Sequence, residues 1–306
     1  MGYIVHDIIF NAEDLEQLGT KEKFWFREHS ETLKWLFKFS RENTGEHWSE
    51  KVAEQLCEKL KIPHVSYDLA ICDGKFGIIS PNVVPEGCRM VMGNEILHKD
   101  SPSEYPQPLA QGEKFVKVRE HTITRVLGCL DQSGIQPPQI DMDTNGLNAG
   151  DVFCGYLLLD ALISNQDRHH ENWAIILDNS SGEKFLCPTY DHAASLGREL
   201  LDKEREERMK TKDENRKICN FVKKARSQLF HLKTDKKALS TVDAFFASVK
   251  KREIAKEHWL KKLNELSDDS IRTIFSEIPD DVITQSSRDF ATLMVLENKK
   301  RLLSYE

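Results

Sequence analysis

The 306-residue sequence has seven cysteines and no C-x-x-C spacing among them. An odd number of scattered thiols neither frames a disulfide scaffold nor completes a zinc site, so these read as reduced cysteines in a cytosolic protein. No basic region followed by an apolar core opens the chain, and no secretory signal is read there. Gly2 stands where N-myristoylation begins, yet His6 occupies the place that motif gives to Ser or Thr. No uninterrupted apolar run is long enough to cross a bilayer, and membrane insertion is not expected. A G-x-S-x-G elbow is missing, which argues against a Ser/His/Asp hydrolase. Positive charge is not in excess either: 43 Lys and Arg stand against 50 Asp and Glu, a formal net charge of −7. Direct nucleic-acid binding is therefore not expected. There is no internal repeat and no low-complexity tract. At 39% hydrophobic and 30% charged residues, the composition is that of a globular protein with one large core or two smaller ones.

The first hundred residues mix strands with one clear helix. Leu33 to Phe39 is apolar and aromatic and predicts a strand, and Ser40 to Trp48 a loop. Val52, Ala53, Leu56, Cys57 and Leu60 form a helical stripe over Ser49 to Leu60, with Ser49 as the expected N-cap and Pro63 at the exit. Val65 to Cys72 and Phe76 to Ile79 predict strands around the turn Asp73-Gly74, and Arg89 to Met92 a further short strand. Residues 100–112, rich in Pro, Ser and Gln, read as a connector. Beyond Phe115 the chain is mainly helical, with helices expected over Phe115 to Leu130 and Asp151 to Ile163. Arg198 to Arg226 is densely charged with both signs interspersed and reads first as a solvated helix or mobile segment. Two or three more helices close the chain, one capped by Ser267.

The stretch from Ser164 to Trp173, S-N-Q-D-R-H-H-E-N-W, lies between an apolar helical stretch and the apolar run Trp173 to Leu177. Its Asp167 and Asn172 have the Asp-to-Asn spacing of a kinase catalytic loop, where Asp orients the attacking hydroxyl and Asn holds magnesium. Alone, that spacing also suits an Asx-rich turn. Crowding Asp, Arg, two His, Glu and Asn into one loop costs desolvation and repulsion unless a ligand or metal uses it. Fourteen residues after the strand, Pro188-Thr189-Tyr190-Asp191-His192 brings a second carboxylate suited to Mg²⁺. Adjacent His169 and His170 tend to diverge, and no Cys pair completes a zinc site.

Phosphoryl transfer also needs a cation on the nucleotide and a carboxylate to hold that cation. Lys38 sits in a strand among large apolar residues, and Glu50 in the next helix is its expected partner. An edge-strand lysine reaching out to water is the alternative. Gly19-Thr20-Lys21-Glu22-Lys23 is the nearest turn able to offer backbone N–H donors, with one Gly rather than three.

The run N-Q-D-R-H-H-E-N-W, followed by C-P-T-Y-D-H-A, resembles the HipA-like serine/threonine kinases, the toxin kinases of bacterial toxin–antitoxin systems. Their N-x-D-x-H-x-x-N and P-x-Y-D patterns match here over about residues 15 to 195. The resemblance implies a two-lobed α+β kinase-like fold, with a small lobe over residues 1–97 and a helical large lobe over 98–306. It implies ATP and Mg²⁺ as cofactors and Ser or Thr of a protein as acceptor, with an antitoxin as partner. Asp167 would be the catalytic base, with His169 supporting its loop. Asn172 and Asp191 would bind Mg²⁺. Lys38 would contact the α/β-phosphates, and Gly19, Thr20, Lys21 and Lys23 would cover them. Gly93 to Leu97, including Glu95 and Leu97, would form the hinge reading adenine. The chain would be a short form, lacking an N-terminal subdomain. Gln17 replaces the Ser that relatives autophosphorylate, leaving Thr20 as the loop's hydroxyl, and Glu171 stands where several relatives have Lys. The D-R-H-x-x-N string is also similar to phosphatidylinositol 3- and 4-kinases, although Asp191-His192-Ala193 departs from their D-F-G. A lipid kinase and a nucleotide-binding pseudokinase are the alternatives.

Overall fold

Large apolar side chains at every second position build the first sheet. It contains β1 (Val5–Asp7), β2 (Lys23–Phe26) and β3 (Trp35–Phe39), and, after helix α1 (Glu46–Leu60), β4 (Asp68–Cys72) and β5 (Lys75–Pro81). Their order is β1-β4-β5-β3-β2, with β1 parallel to β4 and the other pairs antiparallel. The computed structural model describes residues 2–9, 22–27, 33–108, 117–140 and 146–305. Gly19, Thr20 and Lys21 lie outside them. Register sorts the two faces: Phe24 pairs with Phe37 and Lys23 with Lys38. Phe24 and Phe37 stack at 5.1 Å within an aromatic cluster, which leaves the two lysines on the opposite face.

Helix α1 begins three residues before the Ser49 start expected from the sequence. Its N-terminus is fixed from outside: the Gly45 N–H donates to the Arg198 carbonyl at 3.1 Å. Glu46 accepts from the Arg41 backbone N–H at 3.1 Å and from its guanidinium, at the end of the helix where a carboxylate is favoured. Ser49 is buried inside the helix.

The second lobe begins earlier than the sequence suggests. Strand β6 (Cys88–Met92) does not join the first sheet. It pairs with β8 (Ala174–Asp178), in a sheet completed by β9 (Lys184–Leu186) and β7 (Ile135–Gln136), in the order β6-β8-β9-β7. The expected hinge, Gly93 to Leu97, is instead the start of helix α2 (Gly93–Asp100). Its first N–H groups are spent on the second lobe: Gly93 donates to Trp173 O and Asn94 to His170 O, each at 2.9 Å. Glu95 caps the helix by accepting from the Met92 N–H, and Leu97 is fully buried. The chain crosses between lobes over residues 82–87, after Pro81 ends β5 and where Pro85 and Gly87 interrupt regular structure.

Helix α4 (Ala149–Ile163) is apolar on all faces and lies at the centre of the large lobe. Asn148 and Asp151 close its first turn as a capping box. Around it pack α3 (Ile123–Gln132), α7 (Thr241–Val249), α8 (Glu253–Glu265) and α10 (Gln285–Leu303), with α9 (Asp268–Ser276) against α1 and α10. Helix α3 starts well after Phe115, because Thr122 is extended and its hydroxyl accepts from the Arg125 N–H. Ser267 caps α9 as expected. The charged 198–226 stretch folds as α5 (Asp202–Lys210) and α6 (Ile218–Val222), both packed on α10. Arg205 is buried there and pairs with Asp202 at 2.8 Å, so this stretch is a docked element.

Gly155 lies where α4 meets α8. A Cβ at this position would stand 2.5 Å from the Trp259 ring. Helix propensity favours Gly155→Ala by about 1 kcal/mol, whereas overpacking a dense core costs about 1–3 kcal/mol. The contact is roughly 1 Å inside normal van der Waals range, so the clash wins. Urea denaturation of Gly155→Ala is expected to show a lower midpoint than wild type with an unchanged m-value.

Candidate active site

The loop after α4 is held from below by a buried ion pair. Arg168 is fully buried, and its Nε and Nη2 donate to Asp160 of α4 at 2.8 and 2.9 Å. Its Nη1 donates to the Asn172 carbonyl at 2.6 Å, and its Nη2 also reaches the Thr189 hydroxyl at 2.9 Å. One guanidinium thus fixes both ends of the loop and the approach to Asp191. Asn165 completes the base by donating to Asp160 Oδ1 at 2.8 Å.

On that base the polar groups face the cleft. The Asn172 amide donates to the Asp167 carbonyl at 2.8 Å, leaving its oxygen as acceptor. Asp167 has 45% of its side chain exposed, and His169 Nε2 lies 3.9 Å from its Oδ1. The Glu171 N–H donates to His169 Nδ1 at 3.2 Å, so the imidazole proton sits on Nε2, towards Asp167. His169 and His170 diverge, with ring planes at 78°.

The small lobe supplies the opposing wall. Lys38 Nζ donates to Asp191 Oδ1 at 2.5 Å and lies 3.6 Å from Glu50 Oε1. Burial alone would lower the Lys38 pKa, but the Asp191 and Glu50 carboxylates outweigh it and hold the ammonium above its ordinary value. Lys38 is therefore a charged group inside the cleft. It does not snorkel to solvent. Asp191 adopts a left-handed backbone, φ 58°, and its N–H donates to the Tyr67 hydroxyl at 3.2 Å. A non-glycine residue held this way marks a carboxylate aimed at a fixed point. Lys23, opposite Lys38 in register, brings a second ammonium to this face. Asn172 and Asp191 offer one amide and one carboxylate oxygen, a set that suits Mg²⁺, which keeps few protein ligands. Among the described residues no group of three or more His, Cys, Asp or Glu could hold a metal.

Two features were not read from the sequence. One is a polar chain beneath the cleft. Thr189 accepts from Arg168, and its hydroxyl shares a hydrogen bond with His192 Nε2 at 2.9 Å. The His192 backbone N–H donates to Glu50 Oε2 at 2.7 Å. Glu50, 1% exposed, thereby connects Lys38 to the loop base. The other is an apolar wall of Tyr67, Ile78, Val83 and Tyr190 near the crossing between lobes. The breakers Pro81, Pro85 and Gly87 signal that crossing, whereas nothing local signals His192. Glu95 and Leu97 are not part of either wall.

No protein-family model and no characterised protein matches the sequence. Solved structures do match. The proinflammatory kinase CtkA of Helicobacter pylori superposes with a TM-score of 0.72 at 17% identity, over 98% of this chain and 96% of that one. HipA of Shewanella oneidensis MR-1, from a toxin–antitoxin complex with HipB and operator DNA, superposes with a TM-score of 0.57 at 13% identity. That match takes in 95% of this chain and 65% of the HipA chain. The fold is thus the mixed α+β, two-lobed fold of HipA-like kinases.

Two outcomes follow from the loop's foundations. Arg168→Met removes the partner of a buried carboxylate and is expected to cost about 3–5 kcal/mol, read by urea denaturation. Asp160→Asn combined with Arg168→Met should recover part of that loss. Behind the loop, the Trp173 indole donates to His121 Nε2 at 3.2 Å, so His121 is neutral and donates from Nδ1 to Gln228 O. Burial pushes His121 down to about 3 and His170 to about 4. An unfolded histidine titrates near ~6.5. From there down to about 4, the unfolded chain takes up protons that the folded chain refuses, so stability falls as pH falls. Urea midpoints should already drop between pH 7 and 5, where most carboxylates stay ionised, and the drop should be shallower in His121→Asn.

Proposed function

We propose that this protein is an ATP- and Mg²⁺-dependent serine/threonine protein kinase of the HipA-like type. The observation that carries the reading is the contact of Lys38 with Asp191, joined across 153 positions of sequence in one cleft with Glu50. A charged lysine meeting a buried and a half-buried carboxylate between lobes is an arrangement suited to phosphate binding. In this reading Asp167 accepts the proton of the attacking hydroxyl at its carboxylate, oriented by His169. Lys38 leaves Asp191 for the α/β-phosphates, while Glu50 keeps it in place. Lys23 covers the phosphates from β2, together with Gly19, Thr20 and Lys21 outside the described residues. Asn172 and Asp191 hold Mg²⁺, which would neutralise charge on the phosphates. Adenine would sit against Ile78, Val83 and Tyr190 beside the crossing at 82–87. The structural neighbours, a proinflammatory kinase and a toxin bound to its antitoxin, support a role as an effector or toxin kinase acting on a host-cell or own-cell protein. An antitoxin-like partner is the companion expectation.

The test is incubation of the protein with labelled ATP, Mg²⁺ and a cell lysate, with phosphoinositide vesicles in parallel. Label is expected on Ser or Thr of lysate proteins and not on lipid. Label on lipid alone would replace the protein-kinase reading. Asp167→Asn should lower transfer by about 10²–10⁴ and leave ATP binding near wild type. Lys38→Ala should lower activity by about a hundredfold or more and, because it leaves the buried Glu50 unpaired, also lower the melting temperature, so activity is read well below that temperature. Asp191→Ala should weaken Mg²⁺-dependent ATP binding more than Asn172→Ala does, because a carboxylate contributes charge that an amide lacks. Equal losses would reverse that assignment.

A further inference from the structure

A cavity of about 460 Å³ opens in the large lobe, between the end of α6, the start of α7 and the end of α10. Lys223, Arg226 and Arg301 line it. Among the described residues none of the three forms an ion pair, whereas Arg168, Arg198, Arg205, Arg208, Arg252 and Arg288 all do. Three cations thus share one cavity with a single carboxylate in a chain of net charge −7. They are also pre-positioned. Arg226 Nη1 donates to Ala238 O and Arg301 Nη1 to Asn298 Oδ1, each at 2.9 Å. Each guanidinium keeps further N–H donors. One carboxylate, Asp243, shares the lining, and it already accepts from the hydroxyls of Ser240 at 2.6 Å and Tyr305 at 3.1 Å. Glu297, from the same helix, and Asp243 both act on Arg301. Ser240 is the N-cap of α7, whose first turn adds partial positive charge.

The cavity wall is fastened to the catalytic loop. The Arg226 N–H donates to Gln166 Oε1 at 3.5 Å, and Gln228 Nε2 donates to Gln166 O at 3.0 Å. Gln166 immediately precedes Asp167. We propose that this cavity is a substrate subsite for a phosphorylated side chain of the protein acceptor. The assignment rests on the protein-kinase reading above. A phosphomonoester brings close to two negative charges and three acceptor oxygens, enough to engage two guanidinium forks and an ammonium together. A nucleic acid would want an extended basic stripe, and the cations here surround a single recess in an acidic protein.

The 306-residue chain is titrated with fluorescently labelled casein, either natively phosphorylated or stripped by phosphatase. Phosphorylated casein is expected to bind about tenfold tighter or more. The preference should disappear in Arg226→Ala/Arg301→Ala and survive in part in Arg226→Lys/Arg301→Lys. ATP binding, read separately, should be unchanged in both. If the double alanine variant melts early, Lys223→Ala, at an exposed position, replaces it and should weaken the preference several-fold. Equal binding of the two caseins overturns the proposal, as does a preference that survives the alanine substitutions. Displacement by inorganic phosphate without any casein preference would make this a free-phosphate site and also overturns it. Displacement by a DNA duplex at lower concentration than phosphocasein would assign the cations to nucleic acid. A casein preference in a protein that transfers no phosphate would retain the phosphate site while removing the kinase reading. Transfer without the preference would do the reverse.

Discussion

The ion pair of Asp160 with Arg168 is the constraint on which the rest of the cleft depends. Asp160 lies in the apolar helix α4, and a lone carboxylate there would be costly. Arg168 neutralises it with two donors and spends its remaining N–H groups on Asn172 O and Thr189 Oγ1. The same guanidinium therefore settles the height of the loop and the position of the strand end leading to Asp191. A lysine would offer a point charge and lose the fork that spans all three partners. Functional groups on loops need such a rigid seat, because a misplacement of about 1 Å is costly to catalysis.

From that seat, order passes to the other lobe through Thr189, His192 and Glu50. Arg168 has donors only, so Thr189 accepts from it, and the same hydroxyl meets His192 Nε2 at 2.9 Å. The His192 N–H then holds one oxygen of Glu50, and the other faces Lys38. Helix α1, which carries Glu50, is itself tied to the 198–226 stretch by the Gly45 N–H to Arg198 carbonyl bond and by Arg198 to Glu46 at 3.6 Å. The stretch that follows Asp191 thus supports the lysine–carboxylate arrangement, and α5 and α6 anchor it to α10.

Legibility in the sequence followed the range of the interactions. Asp167 and Asn172 are five apart in a short loop, and that local spacing carried the chemistry. Lys38 was visible as a cation in an apolar strand, and the requirement for a partner pointed to Glu50. The start of α1 was misread because its N-terminus is stabilised by the Arg198 carbonyl, far along the chain, and not by the nearby Ser49. The hinge was misread because Arg89 to Met92 has the pattern of any short strand. Only pairing with β8 decides which lobe owns it. His192 carried no local signal at all. Its role depends on Thr189, Arg168 and Glu50 meeting in three dimensions.

The placement of cations gives the two lobes different tasks. In the small lobe, register sets Lys23 and Lys38 side by side, and each would be repelled by the other without counter-charge. Asp191 and Glu50 supply that counter-charge to Lys38. In the proposed kinase reading, nucleotide phosphates would replace Asp191 as the lysine's partner, and that carboxylate would then be available to hold Mg²⁺. On that reading the Lys38–Asp191 pair would keep two charges ordered where phosphates and metal are to be met, so that binding would exchange partners without building a site anew.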